Sequence, residues 1–109
     1  MRYHLLAMDK KYYYFKLIPP RPTFPQDMSA EEKALMEEHA AYFHQQFEAG
    51  KLLLYGPVTA PGATFGLGIL EVPNETEAQQ FGASDPSVRA GMNHFELCPM
   101  HVVASRAKK

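Results

Sequence analysis

His39 and Asp85 are the residues of this chain best suited to proton-transfer chemistry. Asp85 lies in the run Ala83-Ser84-Asp85-Pro86-Ser87-Val88-Arg89-Ala90-Gly91. Asp-Pro reads as a helix N-cap followed by a proline at the first helical position, with Gly91 as the stop roughly a turn and a half later. A helix so short must be held by its surroundings, which places its carboxylate at a fixed point beside the strand-like Phe95-Glu96-Leu97. A carboxylate has about four lone-pair sites, so it can cap a helix with one oxygen and orient a histidine with the other. That arrangement fixes the imidazole tautomer. His39 falls about 60° from Met36 and about 40° from Phe43 around a helix axis, on the flank of an apolar stripe. There it is either a packed residue with satisfied ring nitrogens or a group that exchanges a proton near neutral pH. Asp85 in turn is either a plain helix cap or a cap that also partners a histidine.

Two arginines could clamp a carboxylate or phenolate with paired N–H groups, Arg21 in a proline-rich connection and Arg89 in the short helix. The alternative for each is a solvated arginine or a rim ion pair. Arg21 is the better candidate, because its connection is longer than most loops. Tyr12, Tyr14 and Tyr55 lie on strands and line either an aromatic pocket or a core or interface. Gly66 and Gly68 share one face of a strand, where missing side chains allow close approach of a ligand or partner backbone. No metal site is expected: His39 and His44 stand about 140° apart around the helix and cannot share an ion. Cys98 reads as a small buried hydrophobe. No glycine-rich phosphate loop is present, and no cofactor is expected.

The elements that position these residues follow from punctuation and period. Tyr12 to Ile18 is aromatic and β-prone and stops at Pro19-Pro20, so it reads as a first strand. The connection holding Pro19, Pro20, Pro22 and Pro25 reads as stiff and extended. Ser29 and Glu32 form a capping box for a helix through Ala49, with Gly50 as its stop and Met36, Ala40, Phe43 and Phe47 as its core-facing stripe. Leu52–Val58 and Phe65–Val72 form a hairpin about a turn at Ala60-Pro61-Gly62-Ala63. Asn74 caps a second helix through about Phe81, with Glu77 at its third position. After the Asp-Pro helix, a last strand runs from about His94 to Val103, broken by Pro99. The order β-α-β-β-α-β is the ferredoxin-like α+β arrangement, a four-stranded antiparallel sheet with helices on one face. Strand one puts Tyr13, Phe15 and Leu17 on one side and Tyr12, Tyr14 and Ile18 on the other. Both faces are therefore apolar while helices cover only one, so a second copy is expected to cover the other in a homodimer.

Composition bounds the rest. The 109 residues make one domain, and a net charge of −1 from 11 basic and 12 acidic residues gives no footprint for nucleic acid. No apolar run approaches the ~20 residues of a membrane span. A single cysteine suits a reducing compartment, and the cytoplasm is the expected location. Residues 1–11 read as an N-terminal extension, with Met8 a candidate natural start, residues 12–104 as the domain and residues 105–109 as a basic tail.

The chain resembles the YciI-like (YCII domain) family over roughly residues 12–103. The resemblance is carried by Glu38-His39-Ala40-Ala41-Tyr42-Phe43, Gly50-Lys51, Tyr55-Gly56-Pro57-Val58, Phe65-Gly66-Leu67-Gly68 and the Asp85-to-Gly91 block. It implies a dimeric α+β barrel with a pocket built around His39 and Asp85. Many relatives carry a small hydroxyl residue where this chain has Tyr55. The expected function is cofactor-independent His/Asp proton transfer, an isomerisation or elimination, on a small aromatic or carbonyl metabolite. Arg21, Tyr14, Tyr55, Gly56, Pro57 and Arg89 are the expected ligand contacts. The alternative is a non-catalytic dimeric module that binds a small molecule.

Overall fold

Alternation along β1 (Lys11–Ile18) sets the two faces of the sheet: Tyr13, Phe15 and Leu17 are buried, and Tyr12, Tyr14, Lys16 and Ile18 are half-buried on the other side. The computed structural model describes residues 11–106. Met8, most of the expected extension and residues 107–109 of the tail lie outside the described residues. After β1 come α1 (Phe24–Asp27), α2 (Ala30–Glu48), β2 (Leu52–Ala60), β3 (Ala63–Val72), α3 (Glu75–Ala83), α4 (Pro86–Arg89) and β4 (His94–Met100). The strands form one antiparallel sheet in the order β2-β3-β1-β4, the ferredoxin-like arrangement.

Phe15 is the centre of the core. It is fully buried, stacks on Phe95 of β4 at 5.3 Å and meets Phe81 of α3 and Phe43 of α2 at 5.4 and 5.7 Å. α3 approaches the sheet closely because residue 82 is glycine: a Cβ there would stand 2.6 Å from the Phe95 ring. Gly66 and Gly68 serve a similar end within the sheet. A Cβ at either would lie 3.2 Å from a side-chain atom of Leu17 or Leu52, so the close approach is to neighbouring strands of the same chain.

The capping box of α2 forms as its spacing requires. Ser29 Oγ accepts from the Glu32 N–H at 3.1 Å, and Glu32 Oε1 accepts from the Ser29 N–H at 2.9 Å. The helix ends at Gly50, whose φ is +85°. Its apolar stripe is only partly core: Phe43 is buried, Met36 is half-buried, Ala40 is exposed and Phe47 is 42% exposed. Met36, Ala40 and Phe43 border a cavity between helix and sheet, whereas Phe47 lies against Tyr55 outside it.

Three further features differ from the sequence expectation. The proline-rich connection is not extended throughout but contains α1, because proline is tolerated in a first helical turn and the Thr23 hydroxyl donates to Asp27 at 2.6 Å. β4 runs through Pro99 to Met100, since β4 is an edge strand and tolerates a missing N–H. Cys98 is exposed rather than buried, because it shares the outward face with Tyr14, its register partner in β1.

Candidate functional site

α2 and α4 bring together two residues that are 46 positions apart. His39 Nδ1 lies 2.7 Å from Asp85 Oδ2, and Asp85 is entirely buried. The Asp-Pro cap creates this geometry. Asp85 is the N-cap of α4, and its Oδ1 accepts from both the backbone N–H and the hydroxyl of Ser87 at 2.8 Å. Ser87 Oγ in turn accepts from the side-chain amide of Asn93 at 2.9 Å. Burial pushes the Asp85 carboxyl upward, but the His39 hydrogen bond and charge and the two Ser87 bonds outweigh it and hold it below its ordinary value. An ionised carboxylate only accepts, so His39 Nδ1 must carry a hydrogen and the Ser87 hydroxyl must donate. In the neutral imidazole, Nε2 is then the free acceptor, on the ring edge turned away from Asp85.

His39 stands in the wall of a cavity of about 360 Å³ between α2 and the sheet, whereas Asp85 lies behind it. Met36, Ala40 and Phe43 of α2 face Phe15, Leu17 and Gly66 of the sheet across this space. Tyr55, Gly56 and Pro57 of β2 and Phe24, Pro25 and Met28 of the connection complete most of the enclosure. The walls are almost wholly apolar. His39, Asn93, Tyr55 and Thr64 are the polar side chains among the lining residues, and Asn93 is 1% exposed with an Oδ1 that has no hydrogen-bond partner among the described residues. The His39 ring leans on Phe43 with centroids 4.5 Å apart, which limits its rotation.

The structure thus gathers His39, Tyr55, Gly56 and Pro57 around one cavity and sets Asp85 directly behind His39. Tyr14 is elsewhere, on the outward face of the sheet opposite Ile69 and Cys98. Arg21 is also not in the cavity wall. Its guanidinium donates to both Glu32 oxygens at 2.8 and 2.9 Å, to Asp27 Oδ1 at 2.9 Å and to the Asp27 carbonyl at 3.0 Å. The folding of α1 places these acceptors beside it, and Arg21 together with the capping bonds of Ser29 holds Glu32 down at about 2. Arg89 is exposed on the last turn of α4. Ser87 and Asn93 were not singled out by sequence. Ser87 had a usable signal, since a hydroxyl two residues after a capping aspartate is placed to bond it. Asn93 had none.

Among the described residues, no group of three or more His, Cys, Asp or Glu side chains is placed to hold a metal ion. No described helix is long and apolar enough to cross a membrane.

The model of the YCII-related domain family matches residues 1–101. The chain belongs to this family. This YCII-related domain is similar in fold to TftG, the 5-chloro-2-hydroxyhydroquinone dehydrochlorinase of Burkholderia phenoliruptrix AC1100, whose structure is a complex with 2,5-dihydroxybenzoquinone. The two share 17% identity over 88% of this chain and 93% of that one, with a TM-score of 0.52. It is also similar to the uncharacterized protein TM1266 of Thermotoga maritima, at 11% identity over 84% of this chain and 99% of that one, with a TM-score of 0.50. No curated protein matches the chain.

Proposed function

We propose that this YCII-related domain is a small enzyme in which His39 moves a proton on a compact aromatic or carbonyl compound held in the cavity, in an isomerisation or an elimination. The observation that carries the reading is the 2.7 Å His39–Asp85 pair with its imidazole in an apolar wall. Asp85 keeps the hydrogen on Nδ1, so Nε2 is the base, and the resulting imidazolium is stabilised by the buried carboxylate. Apolar walls lower the polarity around the transferred proton. A dehydrochlorinase of similar fold supports elimination as one of the two candidate reactions. Neither reaction needs electron transfer, and the reducing cytoplasm suits the free Cys98.

The test is a panel of hydroxylated aromatic and carbonyl compounds incubated with the protein in D₂O and followed by proton NMR. At least one compound is expected to exchange a C–H hydrogen or release a leaving group, and His39→Gln is expected to slow that step by about 10²–10⁴-fold. Reaction with His39→Gln at the wild-type rate would remove the catalytic reading, as would neither C–H exchange nor release of a leaving group anywhere in the panel. The cavity would then belong to a binding module.

The same reading includes a homodimer. Tyr14, Ile18 and Ile69 lie on the sheet face that no helix among the described residues covers, with Leu54 and Met100 there exposed at 52% and 43%. A second copy packed face to face would bury them. Sedimentation at micromolar concentration is expected to give a dimer, and a stable 12.3 kDa monomer would contradict it.

A further inference from the structure

We propose that Asn93 positions the ligand. Its side-chain carbonyl accepts a hydrogen bond from a hydroxyl or amino group, so the cavity selects flat apolar compounds that carry hydrogen-bond donors. This rests on reading the cavity as the ligand site but not on His39 performing a reaction there.

Asn93 is 1% exposed, borders the cavity, and has an Oδ1 without a partner among the described residues. A buried carbonyl of this kind calls for an explanation, because unsatisfied polar groups are costly and rare in folded proteins. The amide cannot relieve itself by turning over. Asp85 only accepts, so the Ser87 hydroxyl hydrogen is committed to Asp85 Oδ1 at 2.8 Å. Ser87 Oγ must therefore accept from Asn93, at 2.9 Å from Nδ2, and a reversed amide would set two acceptors against each other. Nδ2 also lies 3.5 Å from Met36 Sδ. The backbone is fixed as well: Gly91 turns with φ +78°, and the Asn93 N–H donates to the Ser87 carbonyl at 3.1 Å.

One hydrogen-bonded chain, Asn93–Ser87–Asp85–His39, thus determines both of its ends. When the imidazole is neutral, each end is an acceptor: Nε2 of His39 and Oδ1 of Asn93. Phe15, Phe43 and Met36, which line the same cavity as His39 and Asn93, offer apolar surface. A ligand that satisfies this wall brings donors on an otherwise apolar frame, and a site built to bond a hydroxyl discriminates strongly against the analogue that lacks it.

Hydroquinone, 4-fluorophenol and 1,4-difluorobenzene have nearly the same shape and present two, one and no donors. They are titrated into the intact, isotope-labelled protein and followed by NMR. Affinity is expected to fall by at least about tenfold from hydroquinone to 1,4-difluorobenzene, against the order of their hydrophobicity. The Asn93 side-chain carbonyl carbon is expected to shift with hydroquinone and not with 1,4-difluorobenzene. Asn93→Leu should lower the affinity ratio between these two probes by about tenfold. If that variant does not fold, the wild-type carbonyl signal decides. Equal or reversed affinities, no saturable binding of hydroquinone, or an unmoved Asn93 carbonyl would overturn the proposal. Donor selectivity with neither C–H exchange nor release of a leaving group in the panel would sink the enzyme reading alone, and turnover without donor selectivity would sink this one alone.

Discussion

Asp85→Ala is expected to destabilise the domain by about 3–5 kcal/mol, the cost of removing one partner from a buried hydrogen-bonded pair. The substitution leaves the Ser87 N–H, the Ser87 hydroxyl and His39 Nδ1 without their acceptor and removes the cap of α4. The effect should depend on pH in a defined direction. The folded carboxyl titrates below its ordinary value, so its stabilising contribution is fully present above the unfolded value of about 3.9. It is lost as pH falls through the lower folded value. Urea unfolding of wild type and variant should show the widest gap near neutral pH and a narrowing gap below about pH 4. A gap that is constant with pH, or smaller than about 1 kcal/mol, would show that Asp85 is not the ionised centre of the network.

Phe15→Ala is expected to cost a further about 3–5 kcal/mol, measured as a lower urea midpoint at unchanged slope. Phe15 is fully buried and touches the rings of Phe43, Phe81 and Phe95, which come from α2, α3 and β4. These neighbours are ring systems fixed by other contacts, so the space left by the ring cannot close easily. Against a typical domain stability of about 5–15 kcal/mol, either substitution alone approaches the threshold of folding. A loss under about 1 kcal/mol for Phe15→Ala would mean that the helices do not depend on this ring for their seat on the sheet.

What the sequence made legible, and what it hid, divides along a physical line. Ser29 and Glu32, Asn74, Asp85 and Pro86, and the glycines at 50 and 91 act through bonds and dihedrals within a few residues of themselves, so the helix ends and, apart from α1, the element order followed from local rules. Alternation along β1 separated Phe15 from Tyr14 correctly, because period two does not depend on the partner strand. Features that depend on three-dimensional neighbours were not legible. Arg21 looked available for a ligand until α1 folded back and put Asp27 and Glu32 beside it. Cys98 looked buried, but only its register opposite Tyr14 determines its face. Pro99 looked like a strand break, and only the position of β4 at the sheet edge makes it harmless. Phe47 belonged to the helical stripe by angle, yet it is 42% exposed and meets Tyr55 edge-on. Asn93 carries no period, cap or motif. Its role emerges only from the directionality of a hydrogen-bond chain that starts at Asp85.

The measurement that tests the account most directly is the tautomer of His39, read from long-range ¹H–¹⁵N NMR couplings in basic buffer where the ring is neutral. The 2.7 Å contact to an ionised Asp85 predicts the Nδ1–H form, with Nε2 unprotonated, and predicts that Asp85→Ala abolishes this preference. A wild-type ring in the Nε2–H form, or a tautomer ratio that Asp85→Ala does not change, would contradict it.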